Sequence, residues 1–452
     1  MGGLRLRTLM LLYLTASVAL GSFYIYKVST RSGSLRLVDF TVFLTAGRVV
    51  FEKDRSIYDF SKESARNFKK RFPLLPEHGF KMHLRNSVLN HVGADLNLFL
   101  PGYVLPYLYP PLLAYLMQPF TPLSDIGANW SWIVFNLLLA IALPFLGFLL
   151  LGRFHRGMDK RAMFATAAVC TAIFPWVLQD NLYWGQINIV VVVLLLLALW
   201  LHEDSPYLGG FCFAAAVLIK MSPALLGFYF LYHRNWRFLF AAAISCLAIV
   251  GVTLVLGGWD HWWKFLEVLP KISEGPRMMR GTLPADLVPN HSLKGFFYRI
   301  SYFDSRADLF AMGVSIMLLA YALFRAYRLP PDEGRSALLL RLGCLMMLAS
   351  PMAWHHHFVF LLPGVILFVF APRGKPISPL RRGILLLLFL PALVPFYQWA
   401  GRLAVTESWR LNGLLVSWQS LLLLLAFFLP DLDRAVAGFF EGRNRHASPA
   451  RA

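Results

Sequence analysis

Three features of the chain predict an all-α polytopic membrane protein. Of its 452 residues 58% are hydrophobic and only 15% charged, and the mean hydropathy is +0.57, outside the balance of water-soluble domains. The apolar residues form continuous runs with no period-two alternation, which argues against a membrane β-barrel. Basic residues gather in the short segments between runs, so the net charge of +19 follows the positive-inside pattern and needs no nucleic acid to explain it.

The first run, residues 8–26, follows Arg5 and Arg7 and is followed by Lys27 and Arg31. It lacks a small-residue cleavage site and is therefore read as an uncleaved first helix. Further candidate spans are 128–151, 162–178, 187–201, 208–232, 237–257, 306–325, 337–350, 356–371, 383–399 and 411–430. The basic groups Arg153/Arg156/Lys160/Arg161, Arg234/Arg237, Arg325/Arg328/Arg335/Arg341 and Arg373/Lys375/Arg381/Arg382 are assigned to the cytoplasm together with the C-terminal tail. Parity then requires 208–232 to be two half-length helices that meet on the outer side near Lys220-Met221-Ser222-Pro223. It leaves no crossing for 105–120, a short, tyrosine-rich segment bracketed by prolines, which is expected to lie on the outer surface as an interfacial or re-entrant helix.

The expected result is about twelve spans in one transmembrane domain, 1–430, with large extracytoplasmic loops at 28–127 and 258–305 and a cytoplasmic tail at 431–452. The first loop carries Lys62, Arg66, Lys69, Lys70, Arg71, Lys81 and Arg85, which suit either a solvated face or attraction to lipid phosphates. The four cysteines, Cys170, Cys212, Cys246 and Cys344, all fall inside apolar runs and read as packing residues rather than as disulfides or a metal site.

Chemistry is expected where polar groups stay at span ends, since such groups are costly unless they face a cavity or a partner. Asp39 follows the first span among apolar neighbours, which favours its neutral form and makes it a better proton acceptor than a solvated aspartate. It stands equally well as an N-cap for the apolar segment behind it. Gln186 and Asn188 open one span, Lys220 sits at the proposed break, Asn290 ends the second loop, and Trp354, His355, His356 and His357 join two spans. Consecutive histidines on a helix point in different directions and no HExxH pattern or carboxylate lies nearby, so no metal is expected. Imidazoles and a lysine are better suited to hold a phosphate, although Lys220 also fits a snorkelling side chain.

The ordered set Asp39-Phe40, Ile57-Tyr58-Asp59, Tyr109-Pro110-Pro111, Gly185-Gln186-Ile187-Asn188, Lys220-x-x-Pro223, Asn290-x-Ser292-Leu293 and Ser350-Pro351-x-x-Trp354-x-His356-His357 resembles glycosyltransferase family 87, of the polytopic GT-C class. The resemblance runs from about residue 39 to 365. It implies a GT-C-type bundle in a bacterial cell membrane. It also implies inverting transfer of a hexose, mannose in the best-known members, from a polyprenyl-phosphate donor to a lipid or glycan acceptor at the outer face, with no cofactor. By position Asp39 matches the catalytic aspartate and His356 a histidine near the donor phosphate, with His355, Lys220 and Asn290 beside it. Tyr109, Gln186, Asn188 and Trp354 are expected at the substrate. Which histidine of the triplet meets the phosphate stays open. A transporter or flippase of a lipid-linked sugar is the competing class, and would be expected to show two related halves, which are not evident here.

Overall fold

A computed structural model of the chain describes residues 6–31, 37–51, 57–58, 107–155, 159–273, 290–301, 306–369, 414 and 417–446. The described residues are helical, with no strand among them. In chain order the α-helices are α1 (Leu6–Arg31), α2 (Val38–Val49), α3 (Leu112–Leu116), α4 (Asp125–Phe154), α5 (Lys160–Ala172), α6 (Pro175–Trp184), α7 (Asn188–Leu201) and α8 (Pro206–Ile219). They continue with α9 (Gly227–Tyr232), α10 (Trp236–Gly257), α11 (Trp259–Ser273), α12 (Leu293–Ile300), α13 (Ala307–Arg328), α14 (Pro331–Leu348), α15 (Leu362–Val369) and α16 (Trp418–His446). Three 3-10 segments, Gln118–Phe120, Ser222–Leu226 and His355–Leu361, join them.

The local chemistry accounts for many of these boundaries. Ser124, Asp159, Asn235 and Ser292 cap α4, α5, α10 and α12 by accepting backbone N–H groups that have no partner inside the helix. Pro175, Pro206 and Pro331 stand at the first positions of α6, α8 and α14, where a missing N–H costs nothing. The centre of the bundle is α14, which packs against α13, α15, α16 and both of the longer 3-10 segments. From Ser336 to Leu348 every residue of α14 is buried.

Four described helices are long and apolar enough to cross a membrane unaided: residues 6–26 of α1, and α4, α10 and α13. A fifth span arises if α5 and α6, bent by 57°, count as one. This differs from the expected count of about twelve for a physical reason. The runs at 187–201, 208–232 and 356–371 become helices of 14 residues or fewer, interrupted by polar turns, and α15 is buried throughout while α7 buries only part of its surface. Hydropathy alone does not separate a helix surrounded by protein from one surrounded by lipid. The run at 383–399 lies outside the described residues, as does most of the two expected loops.

Two expectations about broken segments meet different outcomes. The break in 208–232 is present: α8 ends at Ile219, Lys220 is extended, and the chain resumes as a 3-10 turn. Of the segment 105–120, residues 107–120 are described and are only partly at the surface, with Leu116 43% exposed. Tyr107, Leu113, Ala114 and Met117 are all buried, and α3 packs against α2. At the C-terminus, the helix passes the expected boundary at 430 without ending and runs through Pro430 to His446. Cys170, Cys212 and Cys344 are buried in the packed bundle, and none of the three forms a disulfide.

Candidate active site

The site begins with a glycine. Gly185 ends α6 in the left-handed conformation, with φ of 70°, and a Cβ there would stand 2.7 Å from the Cβ atoms of both Leu37 and Phe40. Only a residue without a side chain lets this turn close on the start of α2. The turn is held by Gln186 N–H, which donates to Asn181 O at 2.8 Å, and by Trp132 Nε1–H, which donates to Gly185 O at 2.9 Å. From it Gln186 Nε2 donates to Asp39 Oδ2 at 2.5 Å.

Asp39 is therefore not the N-cap of α2. That position is Leu37, whose N–H is taken by Asn129 Oδ1 at 3.3 Å, and no side chain caps the helix. Asp39 lies one residue inside the first turn, where the helix dipole favours a negative charge. At 12 residues α2 is no span. Burial pushes the Asp39 carboxyl up to about 7, against the hydrogen bond from Gln186 and the charge of Lys220, which both pull it down. A group titrating near neutrality is matched to proton abstraction.

Beyond Asp39 lies a nitrogen-rich cluster. Lys220 Nζ donates to Asn188 Oδ1 at 2.8 Å and meets His357 Nε2 at 2.6 Å. It also stands 5.7 Å from the ring centroid of Tyr109 and 5.6 Å from that of Phe360, so aromatic faces support the ammonium. Asn188 is oriented by Asn181, whose Oδ1 accepts from Asn188 Nδ2 at 3.0 Å and whose own Nδ2 donates to His356 O at 2.8 Å. Residues from α2, α6, α7, the break after α8, the segment before α3 and the histidine turn thus converge on one place.

The structure sorts the histidines. His357 reaches Lys220, and its Nδ1 accepts the Trp354 N–H at 2.9 Å. His356 stacks in parallel on Trp354, with ring centroids 6.2 Å apart, and sits edge-on to His357 at 4.6 Å. His355 turns towards α6, where its Nδ1 lies 2.8 Å from Asp180 Oδ2. Asn290 is fully buried and works on backbone: its Oδ1 accepts from Ala353 N at 2.9 Å and Ser292 N at 3.2 Å, and its Nδ2 donates to Pro351 O at 3.3 Å. It braces the Ser350–Trp354 bend.

Asp39, Tyr109, Gln186, Asn188 and Lys220 are thus brought together, Trp354 and His356 flank them, and His355 and Asn290 support the turn. Asn181, Asp180 and Trp132 were not expected as site residues, whereas His357 belongs to the triplet whose phosphate-facing member the sequence leaves open. The signal for Asp180 and Asn181 was present as a polar pair at the end of an apolar run, the same cost argument that singles out Gln186.

This constellation falls within the reach of known proteins. The model for glycosyltransferase family 87 matches residues 107–351, more than half of the chain. The chain is 25% identical over 369 residues, 75% of its length and 78% of the relative's, to the polyprenol-phosphate-mannose-dependent α-(1-2)-phosphatidylinositol mannoside mannosyltransferase of Mycobacterium tuberculosis. It is 27% identical over 320 residues, 69% of its length and 73% of the relative's, to the corresponding pentamannoside mannosyltransferase of Mycolicibacterium smegmatis. A shorter likeness, 30% over 183 residues covering 39% of the chain and 42% of the relative, is to an α-(1->3)-arabinofuranosyltransferase of Corynebacterium glutamicum. No solved structure matches. With the family model matching more than half of the chain, including Tyr109, the Gly185 turn, Asn188 and Lys220, the chain belongs to glycosyltransferase family 87.

Proposed function

We propose that this protein transfers a hexose, mannose by analogy with its relatives' donors, from a polyprenyl-phosphate carrier to a lipid or glycan acceptor at the outer face of the membrane. Asp39 is the general base. Its carboxylate takes the proton of the acceptor hydroxyl while that oxygen forms a bond to the anomeric carbon. The bond from that carbon to the phosphate oxygen breaks, and its electron pair leaves with the lipid phosphate. A phosphate leaves without protonation, so one base and a cationic partner suffice, and a single displacement inverts the anomeric centre.

The observation that carries this reading is that one short stretch of chain holds both groups: Gln186 donates to the Asp39 carboxylate and Asn188, two residues on, accepts from Lys220. Lys220, with His357 and Asn188 holding it and His356 beside them, supplies the positive charge for the departing phosphate. Tyr109 and Trp354 offer ring faces for sugar or isoprenoid. Gln186 Oε1 has no partner among the described residues and is free to accept from a sugar hydroxyl.

The test is an assay of purified protein with radiolabelled polyprenyl-phosphate sugars and membrane lipid as acceptor, comparing wild type with Asp39→Asn. The substitution keeps shape and removes basicity. Turnover is expected to fall about a hundred- to ten-thousand-fold while donor binding is retained. Near-normal turnover in the variant would remove Asp39 from the mechanism. Movement of labelled donor across vesicles without transfer would instead favour a flippase.

A further inference from the structure

Helix α11 follows α10 after a single residue, Gly258, which has φ of 79° and redirects the chain. Its side chains divide into three strips. His261 and Phe265 are buried and Trp262, Val268 and Leu269 partly buried, and this strip packs on the protein. Asp260, Lys264 and Glu267 form a charged strip. Trp259, Trp263 and Leu266, at spacings of four and three that place them on one helix face, are 59%, 53% and 49% exposed.

A water-facing helix has no use for two exposed tryptophans and a leucine on one face, and a membrane span would not carry a strip of three charges. We infer that α11 lies in the plane of the membrane–water interface, with Trp259, Trp263 and Leu266 in the headgroup and upper acyl region of the lipid. Two further observations favour lipid as the occupant. The end of α10, a candidate span, exposes Val252, Val255 and Leu256 immediately before α11 begins, so the lipid-facing surface continues from one helix into the next. The charged strip lies beside the apolar one, as required for a helix half-sunk in headgroups. Tryptophan is the side chain best suited to that depth, apolar in body with one polar N–H.

The opposite strip ties this anchor to α2. His261 Nε2 meets Val50 O at 3.0 Å at the end of α2, and the Phe265 ring lies 6.1 Å from that of Tyr58. Trp262 Nε1–H donates to Thr253 Oγ1 at 2.9 Å, which fixes the angle between α10 and α11. An α11 held at the lipid surface therefore sets the depth at which α2 presents Asp39.

The inference is tested on the full chain with its four cysteines replaced by alanine, reconstituted in vesicles of phosphatidylethanolamine and phosphatidylglycerol. Environment-sensitive fluorophores are attached at Trp263→Cys, Leu266→Cys and Glu267→Cys, and quenching by nitroxide lipids is compared with quenching by iodide. The labels at 263 and 266 should be quenched at least about twofold more by a nitroxide near the headgroup than by one at the chain end, and the label at 267 chiefly by iodide. Equal iodide quenching at all three positions would show a water-facing helix and overturn the inference. So would strongest quenching by the chain-end nitroxide, which marks a span. Shielding from both quenchers that disappears when the protein is diluted into excess lipid would mean that a second copy covers the strip, and would overturn it as well.

Discussion

Replacement of Gln186 by leucine removes the donor to Asp39 while roughly keeping its volume. The Gln186–Asp39 bond, at 2.5 Å, stabilises the ionised carboxylate. A hydrogen bond to a charged group contributes about 1.5–3 kcal/mol, equivalent to about one to two pKa units. Burial already pushes Asp39 up to about 7, and loss of the bond moves it in the same direction. The variant carboxyl should then titrate above that of the wild type. The base works only when ionised, so kcat/KM of the wild type should fall as pH drops through about 7. In Gln186→Leu the same acidic limb should lie one to two units higher, with activity at neutral pH reduced by about five- to fiftyfold; recovery in alkali should be incomplete, because burial lowers Lys220 to about 7 and its positive charge is lost above that. The assay is kcat/KM for the lipid-linked donor across a pH series for both proteins. A uniform loss at every pH, with the limb still near 7, would refute the argument, because Gln186 would then act on something other than the base.

Other substitutions separate the parts of the site. Gly185→Ala should lower thermal stability by at least about 1–2 kcal/mol, the cost of a left-handed residue with a Cβ, and should also lower activity per folded molecule as the turn draws Gln186 away; a thermal melt beside specific activity measures both. His357→Ala should raise the donor KM and lower kcat/KM by about 1–3 kcal/mol, more than His356→Ala does, since His357 is the ring in contact with Lys220; the reverse order in steady-state kinetics would return the phosphate to His356. Asp431→Ala should destabilise the protein by about 3–5 kcal/mol, read by thermal denaturation in detergent, because Tyr321, Arg325 and the fully buried Arg341 all bond to its carboxylate and would lose it together.

Several features were legible in the linear chain because they depend on local chemistry. A carboxylate, an amide pair and a lysine standing at the ends of apolar runs are expensive in any fold that buries those runs, so Asp39, Gln186, Asn188 and Lys220 announce a site wherever the helices go. Pro223 and the polar step before it end a helix for covalent reasons, and the break appears as expected at Lys220. Tertiary packing settled the rest. Three adjacent histidines on a 3-10 turn point in three directions, and the choice of His357 for Lys220, with His355 sent to Asp180, depends on how that turn seats between α6 and α14. Asp39 was equally suited to cap a helix, but α2 begins before it, with Leu37 at the cap position, so Asp39 falls inside the first turn. The helix α15 is buried on every side and α7 on one side only, which their uniformly apolar sequences do not distinguish, and α3 packs against α2. Hydropathy measures the cost of water, which is the same whether lipid or protein replaces it, so the burial of Leu113, Ala114 and Met117 against α2 could be decided only by the packed bundle.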